Sequence, residues 1–221
     1  MFRRIAPLFL PAVAALTLFA TAAHADPLVV SSYDMPNGDG QAHGGTYNYW
    51  DATYNGVGDS QIDGSFLQGG TGALTDGVIA TQPWDAVSNS QGTGPYVGWK
   101  DTSPTITFHF GSTVQIDSIT LYVDDSNVGG VTSPSAVVVG GTTYDNSNYA
   151  DYFGGTQAIK LSGLHIVGNS VTVTLVNPTS WVFMSETTFD GFVTSVPEPG
   201  NVAMLLAGLG LMGWMARRRR I

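Results

Sequence analysis

Apolar and polar side chains alternate with a period of two along much of residues 105–193, the spacing of strands rather than of helices. Ile106, Phe108 and Phe110 are separated by Thr107 and His109, and Gly111 ends the run. This predicts a half-buried strand with His109 on its outward face. Ile119, Leu121 and Val123 repeat the pattern against Thr120 and Tyr122, and Val171, Val173 and Leu175 repeat it against Thr172 and Thr174 until Asn177 and Pro178 stop it. Residues 136–139 are apolar without a break, as in a strand covered on both faces. Shorter candidates lie at residues 28–33, 158–161, 181–184 and 188–193. Turn residues separate them, as in Asp124, Asp125, Ser126 and Asn127 followed by Gly129 and Gly130. No soluble helix is expected, and many short strands joined by turns predict an all-β sandwich or barrel.

The first half is less regular. Residues 34–63 are rich in glycine and read as loop, apart from an alternating stretch at 46–50. Asp34, Asn37 and Asp39 have a spacing that suits a hard cation, but they do not complete a helix–loop–helix calcium site, and turn formation alone accounts for the same residues.

Both ends differ from the middle. Residues 1–25 have a basic start (Arg3, Arg4), an apolar stretch from 5 to 20 and Ala23-His24-Ala25, which read together as a signal peptide cleaved after Ala25 and imply the Sec export machinery; an uncleaved anchor is the alternative. Residues 196–221 combine Pro197, Glu198 and Pro199 with an apolar run at 202–216 and then Arg217, Arg218, Arg219 and Arg220. Fifteen helical residues rise about 22 Å against a hydrocarbon core of about 30 Å, so a transmembrane helix here needs local thinning or snorkelling. The arginines predict a cytoplasmic anchor with the preceding domain across the membrane; a buried core helix with a basic tip is the other reading. Residues 26–195 remain as one domain, large enough for a sizeable core.

Apart from the terminal arginines, Lys100 and Lys160 are the only Lys or Arg residues against 17 acidic residues, a net charge of −15. A chain so acidic lacks the basic face that nucleic acid requires. It stays soluble by repulsion or neutralises charge with bound cations. With no cysteine, disulfides and thiolate metal sites are excluded.

Pro197, Glu198 and Pro199, the apolar run and the arginines resemble, in that order, the PEP-CTERM sorting signal. The resemblance implies an exosortase-type processing enzyme as partner, membrane association before processing, and release or attachment at the surface of a Gram-negative cell. A second resemblance is carried by Leu74-Thr75-Asp76-Gly77, by Trp84 and Trp99, by residues 105–111 and 116–122, and by Trp181 to Phe189 with Ser185-Glu186. These blocks look like a discoidin-type, galactose-binding-like jelly roll over roughly residues 28–192. That family implies a structural calcium held by the D-G aspartate and the final S-E glutamate, here Asp76 and Glu186; a turn aspartate and a surface glutamate are the plain alternative. Sugar binders of the family present His, Arg and an aromatic platform, whereas this domain has no arginine. Binding of anionic ligands through a guanidinium is therefore impossible. Neutral extracellular polysaccharide remains, with Trp50, Tyr49, Trp84, His43 and Asn48 as candidates, each of which also suits plain packing.

Catalysis is not indicated. Glu186 is the only glutamate of the domain, no G-x-S-x-G occurs, and His43, His109 and His165 stand in no nucleophile context. The sequence therefore reads as an exported, non-enzymatic surface or matrix protein. Carbohydrate binding, a purely structural surface or biofilm role, and a glycan-active hydrolase are its readings in that order.

Overall fold

The computed structural model describes residues 26–40, 47–145, 147–149, 154–194 and 199–218. His43, Pro197, Glu198, Arg219, Arg220 and the segment read as a signal peptide lie outside them. Among these residues nine strands form one antiparallel network: β1 (Asp26–Leu28), β2 (Val30–Pro36), β3 (Phe66–Gly70), β4 (Val97–Lys100), β5 (Thr105–Asp124), β6 (Ala136–Val139), β7 (Thr142–Asp145), β8 (Thr156–Val176) and β9 (Trp181–Val193). The main path runs β1-β9-β5-β8-β6-β7, with β2 on β5, β3 on β2 and β4 on β9.

Strands expected to be separate are continuous. Residues 105–110 and 119–123 belong to the one 20-residue strand β5, and 158–161 and 171–175 to the 21-residue strand β8. The β5–β8 ladder shifts register between His109 and Val114 and again between Ile116 and Ser118. Such bulges let a long strand bend without ending. The first half of β5 therefore pairs with β2 and its second half with β9, so a single strand serves both layers of the jelly-roll sandwich. Inside lie Ile106, Phe108, Ile119, Leu121, Val173, Leu175 and Phe189, all nearly inaccessible. Outside, Thr105 and Thr174 bond at 2.8 Å across the ladder. Over residues 105–110 and 171–175 the alternation read from the sequence is thus the alternation of burial, whereas Thr120, expected on an outer face, is buried with Ile119 and Leu121.

Among the described residues two helices accompany the strands, one of them unexpected and the other where a C-terminal hydrophobic helix was expected. A single turn, α1 (Trp84–Val87), forms where only loop was read: Pro83 precedes it, and the Trp84 N–H donates to Asp124 Oδ2 at 2.6 Å. The second, α2 (Pro199–Arg218), occupies the apolar tail, with Arg217 and Arg218 in its last turn. Among the described residues no helix is long and apolar enough to cross a membrane. This corrects the transmembrane segment expected at residues 196–221. Asn201 and the two arginines bound only fifteen positions between them, and Gly208, Gly210 and Gly213 lower their mean hydropathy. The Arg218 guanidinium lies 4.4 Å from the centroid of the Trp214 ring.

Candidate functional site

The loop between β3 and α1 carries Asp76 across to β9. Its anchor is the Thr187 N–H, which donates to the Leu74 carbonyl at 2.9 Å. Next along the loop, Gly77 adopts φ +83°, a conformation suited to glycine, and its N–H donates to Glu186 Oε2 at 2.9 Å. Asp76 closes its own turn, Oδ1 accepting the Val78 N–H at 2.8 Å. The two residues singled out by the family resemblance are thus neighbours, although 110 positions separate them in the chain. Glu186 is only 3% exposed, and burial, reinforced by the charge of Asp76, pushes its carboxyl up to about 7.

These groups suit a hard cation in charge. A carboxylate buried beside another carboxylate is what a divalent ion would relieve. In number they fall short, since no cluster of three acidic or imidazole groups occurs among the described residues. A calcium ion takes six to eight oxygens, so main-chain carbonyls and water would supply the rest.

Beside Asp76 opens a cleft of about 210 Å³, lined by Ala52, Thr53, Ala73, Asp76, Val78 and residues 92–95. Its floor is set by a network that the sequence did not signal. Asp51, fully buried, accepts the Ala73 N–H at 3.0 Å and the Thr53 hydroxyl at 3.2 Å, and the Tyr33 hydroxyl donates to its second oxygen. Burial raises the carboxyl of Asp51 and the phenol of Tyr33 alike. Tyr54 extends the network, donating to the Tyr33 carbonyl at 2.5 Å and accepting the Gly70 N–H at 2.8 Å. Asp51 has no periodic neighbours to mark it.

The aromatic candidates sit elsewhere. Tyr49 and Trp84 are 1% and 4% exposed and pack with Trp181, Tyr96 and Phe183 in a second core cluster. Their rings meet mainly edge-on: Tyr49 lies 6.0 Å from Trp84 and 5.5 Å from Trp181. In β4, Gly98 makes room for this cluster, because a Cβ there would collide with the Phe183 ring. Trp50 is half-buried and spends its indole N–H on Asp63 at 2.7 Å. Asn48 donates its amide to the Ser90 carbonyl. These four side chains form no exposed platform.

The early cation candidates also separate. Asp34 pairs with His109 Nε2 at 2.9 Å and accepts the Gly69 N–H at 2.8 Å. Buried Asn37 holds its loop together, donating to the carbonyls of Asp59 and Ile62 and accepting from Gly38 and Asp51. Asp39 Oδ2 accepts the Lys100 N–H at 2.5 Å. Each has its own partners, and they share no site.

Comparison with known proteins follows the same division of the chain. The family described as Discoidin domain-containing receptor 1/2, DS-like domain matches residues 29–191, about three quarters of the sequence. Residues 195–220 match the PEP-CTERM protein-sorting motif. No curated protein matches the chain. Among solved structures it is similar to SpGH29, at 16% identity and a TM-score of 0.33, covering 56% of this chain and 24% of that one. The C-terminal domain of a chitobiase from Bacteroides fragilis aligns at 16% identity and a TM-score of 0.40, over 77% of this chain and 100% of the other. A fucolectin from the serum of Morone saxatilis (striped bass) aligns at 12% identity and a TM-score of 0.34, over 77% and 80%. These structural likenesses are remote, and the assignment rests on the sequence match together with the strand arrangement. The chain belongs to the discoidin domain-containing receptor 1/2 DS-like domain family and ends in a PEP-CTERM protein-sorting motif.

Proposed function

We propose that the protein is an exported, non-catalytic surface module that engages neutral carbohydrate by hydrogen bonding at the cleft beside Asp76. The observation that carries this reading is the lining of that cleft, where two threonines, one carboxylate and glycine backbone stand among Ala52, Ala73, Val78 and Pro95, in a domain without arginine. About 210 Å³ is below the roughly 300–1,000 Å³ of sites for drug-sized ligands, so one sugar ring is the natural occupant. A hydrolase is disfavoured by Glu186, whose raised carboxyl would otherwise suit a general acid. It is 3% exposed and turned to the Gly77 N–H, whereas an acid must reach its substrate. The sorting motif supports processing by an exosortase-type enzyme and a surface destination.

Calcium belongs to the same proposal. Asp76 and Glu186 would hold it, and its role would be to neutralise Glu186 and pin the loop at residues 74–78 to β9. A purely structural matrix role is the second reading, favoured by the burial of Tyr49, Trp84, Trp99 and Trp181.

A glycan array of the full chain, run with calcium and with a chelator, separates the two. Binding to neutral glycans that is lost in Thr93→Tyr, which fills the cleft, supports the module. Silence under both conditions leaves the matrix role.

A further inference from the structure

The segment before β6 holds a buried polar pair that neither the cleft nor the cation reading uses. Ser133 and Gln157, 8% and 4% exposed, meet side chain to side chain, the hydroxyl donating to Gln157 Oε1 across 24 positions of sequence. Both backbones are fixed. Gln157 lies opposite Val123 in the β5–β8 ladder, and the Ser133 segment is tied on either side, by the Thr132 N–H to the Trp181 carbonyl at 3.3 Å and by the Ser135 N–H to the Val176 carbonyl at 2.9 Å. Tyr149, itself buried, adds a third tie by donating to the Pro134 carbonyl at 2.8 Å. Asp125, 3% exposed, accepts the Ser133 N–H at 3.0 Å, so a carboxylate lies against the residue that carries the hydroxyl.

A buried serine bonded to a buried amide is ordinarily a satisfied pair and nothing more. Here the same contact also brings together a nucleophile, an acyl group and a base. The C=O bond adds only about 1.2 Å to an ordinary hydroxyl hydrogen bond, so Ser133 Oγ lies within about 4 Å of Gln157 Cδ. That approaches the separation of about 3–3.5 Å from which held groups react with effective molarities of about 10⁵–10⁸ M. We propose that Ser133 and Gln157 condense into an ester that cross-links the segment before β6 to the start of β8. Oγ adds to Cδ as its proton passes to the Asp125 carboxylate. The proton goes on to the amide nitrogen, the C–N bond breaks, and ammonia leaves. The step consumes no oxidant, reductant or cofactor. Ammonia is lost to solvent while burial shields the ester from water, so the reaction runs one way. In a chain without cysteine, the bond closes a loop as a disulfide would.

Intact-mass spectrometry of the full chain reads the step directly. The protein should be lighter by one ammonia than the sequence it retains, and fragmentation should join the peptides that carry Ser133 and Gln157. Ser133→Ala and Gln157→Met should each restore the full mass. Asp125→Asn should delay the loss at least tenfold in a time course after expression; an undelayed loss would overturn the assignment of the proton to Asp125. Mild alkali on the unfolded chain should open the ester and leave a carboxyl group at position 157. A wild-type chain at its full mass overturns the proposal, whether or not the variants fold. So does a deficit that survives Ser133→Ala, which would place the lost ammonia at Asn37-Gly38 or Asn55-Gly56, where a succinimide forms with the same change of mass.

Discussion

Glu186 shows how one side chain can set the response of the domain to acid. Its folded pKa, about 7, lies above the 4.5 of a free glutamate. A group shifted in this direction favours the fold while protonated, so its contribution is complete below about pH 4.5 and is lost as pH rises towards 7. One pKa unit corresponds to 1.36 kcal/mol, which puts the loss at about 3 kcal/mol. Asp51 and Asp124, raised chiefly by burial, act with the same sign. Denaturation midpoints measured from pH 4.5 to 7.5 should therefore fall, and Glu186→Gln should flatten much of that slope. Saturating calcium should flatten it too, because a bound cation keeps the carboxylate ionised at little cost; an Asp76→Ala variant should lose this calcium response. Tyr33→Phe tests the neighbouring network. It removes a buried donor to Asp51 and should cost about 1–3 kcal/mol, read by urea unfolding.

Among the elements, β5 is where sequence and structure agree best and where they part. The burial of Ile106, Phe108 and Phe110 was legible because each alternates with a polar residue, and the period of two fixes the inward face. Phe108→Ala should cost about 3–5 kcal/mol, whereas Thr107→Ala, on the outer face, should change stability by less than about 0.5 kcal/mol; chemical denaturation measures both. The continuity of β5 through Gly111 to Thr113 was not legible, since a glycine and two hydroxyl residues read equally well as a turn or as a bulge. A similar ambiguity hid the fate of Tyr49 and Trp84. An aromatic in a loop serves as a stacking surface or as packing, and only the approach of Trp181 and Phe183, more than 90 positions away, decides for packing. Asp76 and Glu186 became visible through family resemblance rather than through periodicity. Asp51 and the cleft it supports had no such signal, because they are made by loops converging from 51–53, 72–78 and 92–95. In β4, Gly98→Ala should cost about 1–3 kcal/mol by pressing on Phe183, a cost read as a lowered thermal midpoint.

For the whole molecule, charge and connectivity matter more than any one contact. Apart from the six arginines near the two ends, Lys100 and Lys160 stand alone against 17 acidic residues, so folding the domain gathers like charges together. Raising ionic strength from 0.01 M to 1 M shortens the screening length from about 30 Å to about 3 Å. Calorimetry should record a rise of roughly 2–4 °C in melting temperature for each kcal/mol of repulsion removed. An unchanged midpoint would mean that the acidic groups are already compensated. Connectivity has a mechanical consequence. β9 leads directly into the tail and lies beside β5 over nine paired positions, and a loop leaves β5 after Asp124, at the opposite end of that ladder. A pull between that loop and the tail slides the two strands lengthwise, straining all nine pairs together instead of peeling them one after another. The molecule is thus wired as a tension-bearing strap.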